Sequence, residues 1–196
     1  LDLSRAPVDL RAMHIDSDWV RAQFPAFAEP SLQGQAFFEN AGGSYTCRQV
    51  IDRLHRFYTQ RKVQPYAPYE ASRLGGEEMD EARTRMAAIL GVTPAELSFG
   101  PSTTQNAYVL AQAPAKLEYL LDEKVRLVCF PHCSNVVGEI NPVTEITALA
   151  HAAGAFVCVD GVSYAPHGFA DVGGLGPDIY LFSAYKTFGP HQGVMV

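Results

Sequence analysis

The segment AFVCVDGVSYAPHGFADVGGLGPDIYLFSAYK (155–186) contains two apolar runs that each end in polar residues. The first run, AFVCVD, ends in Asp160, and the second, DIYLFS, ends in Ser183 and is soon followed by Lys186. Short and nearly continuous apolar runs are typical of strands that are buried on both faces of a parallel sheet. This segment therefore predicts two buried strands whose carboxyl ends carry chemically active side chains.

Strands and helices alternate on both sides of this segment. Further strands are predicted at ELSFG (96–100), VRLVCFP (125–131) and GVMV (193–196), and helices at 102–113, 115–123 and 142–154. The alternation predicts an α/β fold, with a mostly parallel sheet that carries helices on both faces. Ligands of such sheets bind at the carboxyl ends of the strands.

The N-terminal part of the chain is less regular. Residues 1–34 are polar and weakly patterned, with one short helix expected around 17–24. QAFFENAGG (35–43) is typical of a short strand that runs into a glycine turn. Helical spacing of apolar residues predicts helices at 47–62 and 76–90, with a loop between them.

Composition and charge exclude several classes of function. The 196 residues are 47% hydrophobic and 18% charged, with a net charge of −6. Because the basic residues are scattered and form no stripe, we expect no nucleic-acid partner. No run of about 18 apolar residues and no signal-like N-terminus occur, so we expect a soluble protein with no membrane partner.

The four cysteines indicate a reducing compartment rather than a disulfide framework or a metal site. None forms a CxxC pair, which fits a cytoplasmic protein. Cys129 and Cys158 lie in apolar runs and are expected in the core. The Cys129–His132–Cys133 cluster lacks a second ligand pair at zinc-like spacing, so no metal is expected.

Four polar groups follow predicted strands and should meet at one edge of the sheet: Ser102–Thr104, 132–135, Asp160 and 183–186. A carboxylate such as Asp160 is costly at the end of a buried strand unless it has a partner. That partner is either a protonated pyridine nitrogen or a structural cap or salt bridge. Lys186 is either a snorkelling surface lysine or a desolvated amine that forms a Schiff base.

A phosphate could be bound by the hydroxyls of Ser183 and Tyr185 and by the N-terminus of the helix that starts at 102. Simple helix capping also explains the Ser and Thr residues at that N-terminus. His132 is ambiguous because it also fits a core or loop histidine, and Asn135 fits a residue that stabilises a turn.

Four longer segments of the sequence favour the cofactor-binding interpretation of these residues. The relevant segments are FFENAGGSY (37–45), GVTPAELSFGPSTTQNAYVLA (91–111), HCSNVVGEINPV (132–143) and VDGVSYAPHGFADVGGLGPDIYLFSAYKTFGP (159–190). Together they resemble the cysteine desulfurase/selenocysteine lyase group of aminotransferase class V enzymes. Members of that group bind pyridoxal 5′-phosphate (PLP) in a fold type I large domain, and the last segment is the most specific of the four.

The resemblance implies a role for individual residues. Lys186 would carry PLP as a Schiff base and shuttle protons, and Asp160 would pair with the pyridine nitrogen. The phosphate would be held by Thr103, Thr104, Ser183 and Tyr185. Asn135 and Ser163 would lie near the ring hydroxyl, and Ala41 and Gly42 would lie on the substrate side. It also implies a homodimer and two units, an N-terminal segment (1–34) and a partial PLP-binding large domain (35–196).

The sequence departs from the family pattern in several places. Ser163 stands where the family often has Gln, and Tyr185 stands where it often has His, as in the kynureninase-like branch. Both leave the cofactor bindable. The family also has two more strands between the helix at 102–113 and the strand at 125–131. Its C-terminal small domain, which supplies a substrate-carboxylate arginine and the desulfurase cysteine, would follow Val196.

Two explanations of the missing strands remain open. The sequence either joins two parts of a longer chain near 113–114, or belongs to a protein that is short and degenerate. Losing two strands from a parallel sheet would expose a long apolar edge, which favours the first explanation.

The sequence leads to three hypotheses about function. The first is a PLP-dependent enzyme that acts on an amino acid or amine through a Lys186 aldimine, as a cysteine desulfurase or lyase, an aminotransferase or an epimerase. The second is a catalytically incomplete PLP-fold protein that serves as a partner or scaffold. The third takes Ser183-x-x-Lys186 as the pair of a penicillin-recognising hydrolase, but that motif should open a helix and here closes a strand.

Overall fold

A computed structural model of the protein describes residues 15–40, 42–111 and 126–196. The helices are α1 (Ser17–Ala22), α2 (Arg48–Arg56), α3 (Glu70–Leu90), α4 (Thr103–Ala111), α5 (Val143–Ala152) and α6 (Val172–Leu175). A π-helical turn, Phe57–Arg61, continues α2. Short 3-10 helices occupy Pro25–Ala28, Pro30–Leu32, Pro94–Glu96, Ala165–His167 and Ala184–Lys186.

Five strands form one mixed sheet. They are β1 (Ser98–Gly100), β2 (Arg126–Pro131), β3 (Ala155–Asp160), β4 (Ile179–Ser183) and β5 (Gly193–Met195). Their order across the sheet is β1-β5-β4-β3-β2. β2, β3 and β4 are parallel, whereas β5 is antiparallel to both of its neighbours. Four of the five strands thus run in one direction, which confirms the predicted α/β fold with a mostly parallel sheet.

Helices cover both faces of this sheet, as predicted. Val157, Val159, Tyr180 and Phe182 point to one face, where they form the core with residues of α3 and α5 such as Leu90. Successive side chains of a strand point to opposite faces, so Ser183 lies on the other face from Phe182. On that face the hydroxyl of Ser183 contacts Thr103 at the start of α4.

Two elements differ from the predictions. Residues 35–40 form no strand, and the Phe38 side chain is 95% exposed, so the segment has neither a pairing partner nor a buried face. Helix α3 begins at Glu70 instead of at 76. Its additional first turn is stabilised by the Arg73 guanidinium, which bonds the carboxylates of Glu70 and Glu77 on adjacent turns.

One face of the sheet is open near β2. Leu127 and Cys129 are exposed there, so the prediction that Cys129 lies in the core is wrong. The reason is that β2 is the last strand in the described sheet, and the described helices cover this face mainly over the other end. The proposed junction at 113–114 lies outside the described residues. Among the helices in the described ranges, none has the length and apolar character needed to cross a bilayer.

Candidate active site

The three parallel strands end together at one edge of the sheet. Pro131 of β2 pairs with Asp160 of β3, which pairs with Leu181 of β4. The segments that leave these strands surround a cleft of about 530 Å³. Its lining consists of Asn40, Cys133, Ser134, Asn135, Gly138, Ile140, Val162, Ser163, Tyr164, Pro166, His167 and Lys186.

Three of the residues singled out in the sequence share this cleft. Lys186 comes from the turn after β4, Ser163 from the turn after β3, and Asn135 from the turn after β2. They are far apart in the chain and meet because parallel strands place their carboxyl ends side by side. The lining therefore combines one primary amine with hydroxyl and amide groups.

A second cluster of site residues lies where α4 meets the sheet, at the end of the strand that leads to Lys186. The hydroxyls of Thr103 and Ser183 are 2.7 Å apart and hydrogen-bonded, although 80 positions separate them in the sequence. The Ser183 side chain is almost fully buried. Ser102 caps the helix, since its hydroxyl accepts the N–H of Gln105. This cluster therefore presents hydroxyls at a helix N-terminus, where phosphate binds well.

Gly193 of β5 makes this cluster possible. A Cβ at this position would overlap the carbonyl carbon of Ser102 and would lie 2.5 Å from the Thr103 nitrogen. Both obstacles are backbone atoms, so they cannot move aside as a side chain would. The absence of a side chain at Gly193 thus lets the start of α4 sit directly on the sheet.

Asp160 is exposed, in contrast to the expectation of a buried carboxylate. Asp160 is the last residue of β3 and lies on the open face of the sheet. Its side chain is therefore less buried than the apolar sequence of the strand predicts. Its Oδ1 atom accepts the N–H of Val162, and its backbone carbonyl accepts the N–H of His132. The carboxylate therefore keeps capacity for another donor while it orients the turn that carries Val162 into the cleft.

The remaining predicted residues lie around these two clusters. Thr104 is exposed on the first turn of α4. The Tyr185 ring stacks on His191, with ring centroids 4.5 Å apart, and does not line the cleft. The Gly42 N–H is bonded to Glu39 at 3.0 Å, next to the cleft residue Asn40. Ala41 lies outside the described residues.

His132 is a structural residue of the site. Its ring is buried, stacks on Tyr164 at a centroid distance of 3.7 Å, and bonds the Tyr180 hydroxyl through Nδ1 at 2.8 Å. Burial lowers the pKa of His132 below its ordinary value and raises that of the Tyr180 phenol. Both groups are therefore neutral near pH 7, and together they support Tyr164 in the wall of the cleft.

Protonation of His132 should destabilise the fold. Because the folded pKa lies below the ordinary 6.5, the unfolded chain takes up this proton first as the pH falls. The contribution to the free energy of unfolding is complete above pH 6.5 and is lost as the pH falls from there to the folded pKa. Urea unfolding of the wild type and His132→Gln across this range should show a steeper pH dependence in the wild type. Equal slopes would contradict the assignment.

Several residues of the site escaped the sequence-based reasoning. Asn40 and His167 line the cleft, and both stand inside segments that carried the family resemblance. Cys133 is buried and also lines the cleft. No local pattern distinguishes these residues from their neighbours, since their position depends on how the loops after different strands meet.

The described residues fit PLP. A primary amine at Lys186 lies in a cleft large enough for a small ligand, and hydroxyls at the N-terminus of α4 suit its phosphate. The Asp160 carboxylate is open to a further donor, as the pyridine nitrogen requires. Among the described residues, none forms an ion pair or hydrogen bond with the Lys186 amine.

The chain is similar to known proteins along most of its length. Residues 110–196 match the Aminotransferase class-V family. An aminotransferase-like protein, FGM3, of Gibberella zeae is 31% identical, over 88% of this chain and 55% of that protein. A cysteine desulfurase of an Enterobacter species is 30% identical, over 87% of this chain and 55% of that protein. The chain thus spans about half the length of these curated relatives.

The relatives also contain residues that this chain lacks internally. The Enterobacter alignment extends over 223 residues but uses only 87% of the 196 residues here, so part of it has no counterpart in this chain. The expectation that two strands are missing between α4 and β2 stays a prediction.

Solved structures show the same fold. The apo cysteine desulfurase from Thermococcus onnurineus NA1 superimposes with a TM-score of 0.78 at 22% identity, over 94% of this chain and 57% of that structure. The fold, the arrangement at the strand ends and these sequence relatives all support the PLP-dependent aminotransferase class V family, and the similar proteins include cysteine desulfurases.

Proposed function

We propose that this chain is the cofactor-binding part of a PLP-dependent enzyme that acts on an amino acid, with PLP attached to Lys186. The supporting observation is the meeting of Lys186, Ser163 and Asn135 in one cleft, together with the bonded hydroxyls of Thr103 and Ser183 at the end of the strand that leads to Lys186. These groups come from four separate segments of the chain. Packing alone gives no reason for an amine and several free polar groups to converge there.

Each residue has a role in this proposal. The hydroxyls of Thr103 and Ser183 and the N-terminus of α4 hold the phosphate, with Thr104 and Tyr185 beside them. Asp160 binds the pyridine nitrogen, while Asn135 and Ser163 lie on the side of the ring hydroxyl. Lys186 holds the cofactor and moves a proton at the substrate α-carbon. Ala41 and Gly42 belong to the substrate side. PLP itself supplies the electron sink that weakens bonds at that carbon.

Desulfuration of cysteine is the reaction we favour, because the similar proteins include cysteine desulfurases. Transamination and epimerisation use the same cofactor groups and differ in residues that read the substrate. A desulfurase also needs a cysteine as sulfur acceptor. Burial raises the pKa of the Cys158 thiol to about 12, so this cysteine stays protonated near pH 7 and is unsuited to that role.

The proposal is tested on the purified full-length protein supplied with PLP. We expect an absorbance band near the visible edge that borohydride makes permanent, and digestion followed by mass spectrometry should place the added mass on the peptide that contains Lys186. Adding candidate amino acids should change the band, and L-cysteine supplied together with a thiol reductant should yield alanine and sulfide. A protein without the band and without added mass at Lys186 would contradict the proposal.

The alternative function is a catalytically incomplete PLP-fold protein that acts as a partner or scaffold. It is favoured because the alignment with the Enterobacter desulfurase includes internal residues that this chain lacks. The experiment above separates the two functions, because a scaffold predicts no covalent cofactor.

We further propose a cytoplasmic homodimer. No side chain of α2 is fully buried, and a groove between α2 and α3 offers a second copy the apolar side chains of Leu54, Met86 and Ile89. Its lining also includes the charged residues Arg53, Glu78, Glu81 and Arg85. All four cysteines are free, which is the state that a reducing compartment maintains. Sedimentation of the purified protein at the mass of a monomer would contradict the dimer.

A further inference from the structure

Lys186 lies in a tight turn that follows β4. The backbone carbonyl of Ala184 accepts the N–H groups of Thr187 and Gly189 as well as the hydroxyl of Thr187. At the far side of the turn, Phe188 adopts a φ of 64°, which is uncommon for a residue with a side chain. A backbone in this conformation persists only when its surroundings hold it.

Ser44 holds this turn from a distant part of the chain. Its N–H and its hydroxyl both donate to the carbonyl of Tyr185, at 3.0 Å each. The hydroxyl oxygen also accepts the N–H of Phe188 at 2.9 Å. The Ser44 side chain thus links the backbone carbonyl that directly precedes Lys186 to the backbone N–H of Phe188, two residues after it.

The loop that carries Ser44 packs against the turn that contains Lys186. A Cβ at Gly43 would lie 3.5 Å from the Tyr185 ring, and Phe24 packs its ring edge-on against Phe188 at 5.5 Å. Ser44 is half-buried in this contact, so water competes less for its hydrogen bonds than at an open surface. The contact joins the N-terminal part of the chain to the lysine turn, 141 positions away.

We infer that Ser44 is a positioning residue for Lys186: its hydroxyl sets the orientation of the turn and so aims the lysine amine into the cleft. This inference rests on the proposed function, since it concerns the attachment of PLP to that amine. Without the hydroxyl, the Phe188 N–H loses its acceptor and the left-handed residue loses the bond that holds it. The turn should then relax, and the amine should spend less time in its reactive position.

The test compares Ser44→Thr with Ser44→Val in the full-length protein. The two side chains have nearly the same shape, and only Thr keeps the hydroxyl. The first measurement is the rate at which PLP becomes attached to Lys186, followed by borohydride reduction of samples taken at successive times. We expect a rate about tenfold lower in Ser44→Val than in Ser44→Thr, because a lost hydrogen bond to a partly buried group has an effect of this order. Ser31→Ala serves as a control, because Ser31 is exposed and its hydroxyl bonds Glu29 and not the lysine turn.

The second measurement needs no cofactor. Acetic anhydride labels the amines of the apo protein, and mass spectrometry compares Lys186 with the exposed Lys62 as an internal reference. In Ser44→Val the half-buried Lys186 should become more reactive relative to Lys62, while Ser44→Thr should resemble the wild type. A role in stability alone would not change this ratio while the protein stays folded.

The two measurements distinguish a failure of the proposed function from a failure of the role of Ser44. If the wild type forms no adduct at Lys186, the proposed function fails. If the wild type forms the adduct and the Thr and Val variants load PLP and label Lys186 equally, the role of Ser44 is overturned and the proposed function stands. If Ser44→Val does not fold while Ser44→Thr does, Ser44 serves the stability of the fold and the positioning role is also overturned.

Discussion

Replacing Lys186 with Ala should abolish covalent attachment of PLP. The methyl group of Ala has no amine, and the cleft lining in the described residues contains no other lysine. After borohydride treatment, the peptide that contains position 186 should carry no added mass. Turnover should fall by about 10²–10⁴-fold, the range that a positioned proton-transfer group contributes. A small external amine such as methylamine should restore part of the lost turnover by entering the vacated space.

The matched control is Lys62→Ala. Lys62 is exposed and contacts the Tyr58 ring at 5.3 Å, away from the cleft lining. This variant should keep the absorbance band, the modified peptide and the turnover of the wild type. If Lys186→Ala retains the band and borohydride fixes it elsewhere in the chain, the assignment of Lys186 is wrong.

Replacing Gly193 with Ala should damage both the fold and the phosphate site. The new Cβ would overlap backbone atoms of Ser102 and Thr103, and relief requires α4 to move away from β5. Gly193 is also paired with Gly100 and Ser183 in the middle of three adjacent strands, so β5 cannot shift alone. Overpacking against rigid backbone should cost about 3 kcal/mol or more of the free energy of unfolding. Urea denaturation measures this loss, and PLP titration should show much weaker binding.

Gly75→Ala provides the control for this prediction. Gly75 lies within α3, and a Cβ there would approach no closer than 3.6 Å to its nearest neighbour. Alanine stabilises a helix interior relative to glycine by up to about 1 kcal/mol, so this variant should be as stable as the wild type or more stable. A Gly193→Ala protein that unfolds at the wild-type urea concentration and binds PLP equally well would contradict the close approach of α4 and β5.

Local patterns predicted the elements of the sheet well because each pattern depends on a few neighbouring residues. The apolar runs that end at Asp160 and Ser183 are strands β3 and β4 with nearly the predicted bounds. The alternation of strands and helices was enough to predict an α/β fold, and it placed Lys186 just beyond a strand end.

Predictions that depend on neighbours in space were less successful. Cys129 has the local sequence of a core residue, but it is exposed because β2 lies at the edge of the described sheet. The segment 35–40 has the apolar character of a strand, yet no strand lies beside it in the described fold. Strand β5 was predicted at the correct place, but its antiparallel direction follows from the short return through residues 184–192.

The sequence by itself determined the class of fold, the strands that end in Asp160 and near Lys186, and the resemblance that points to PLP. Periodicity and motif order carry this information because they act along the chain. Only the tertiary structure decided that Thr103 bonds Ser183 across 80 positions, that Asn135 and Ser163 share a cleft with Lys186, and that Ser44 holds the lysine turn. These contacts arise from the order and register of the strands and the packing of the loops that leave them, and no local pattern encodes such distances.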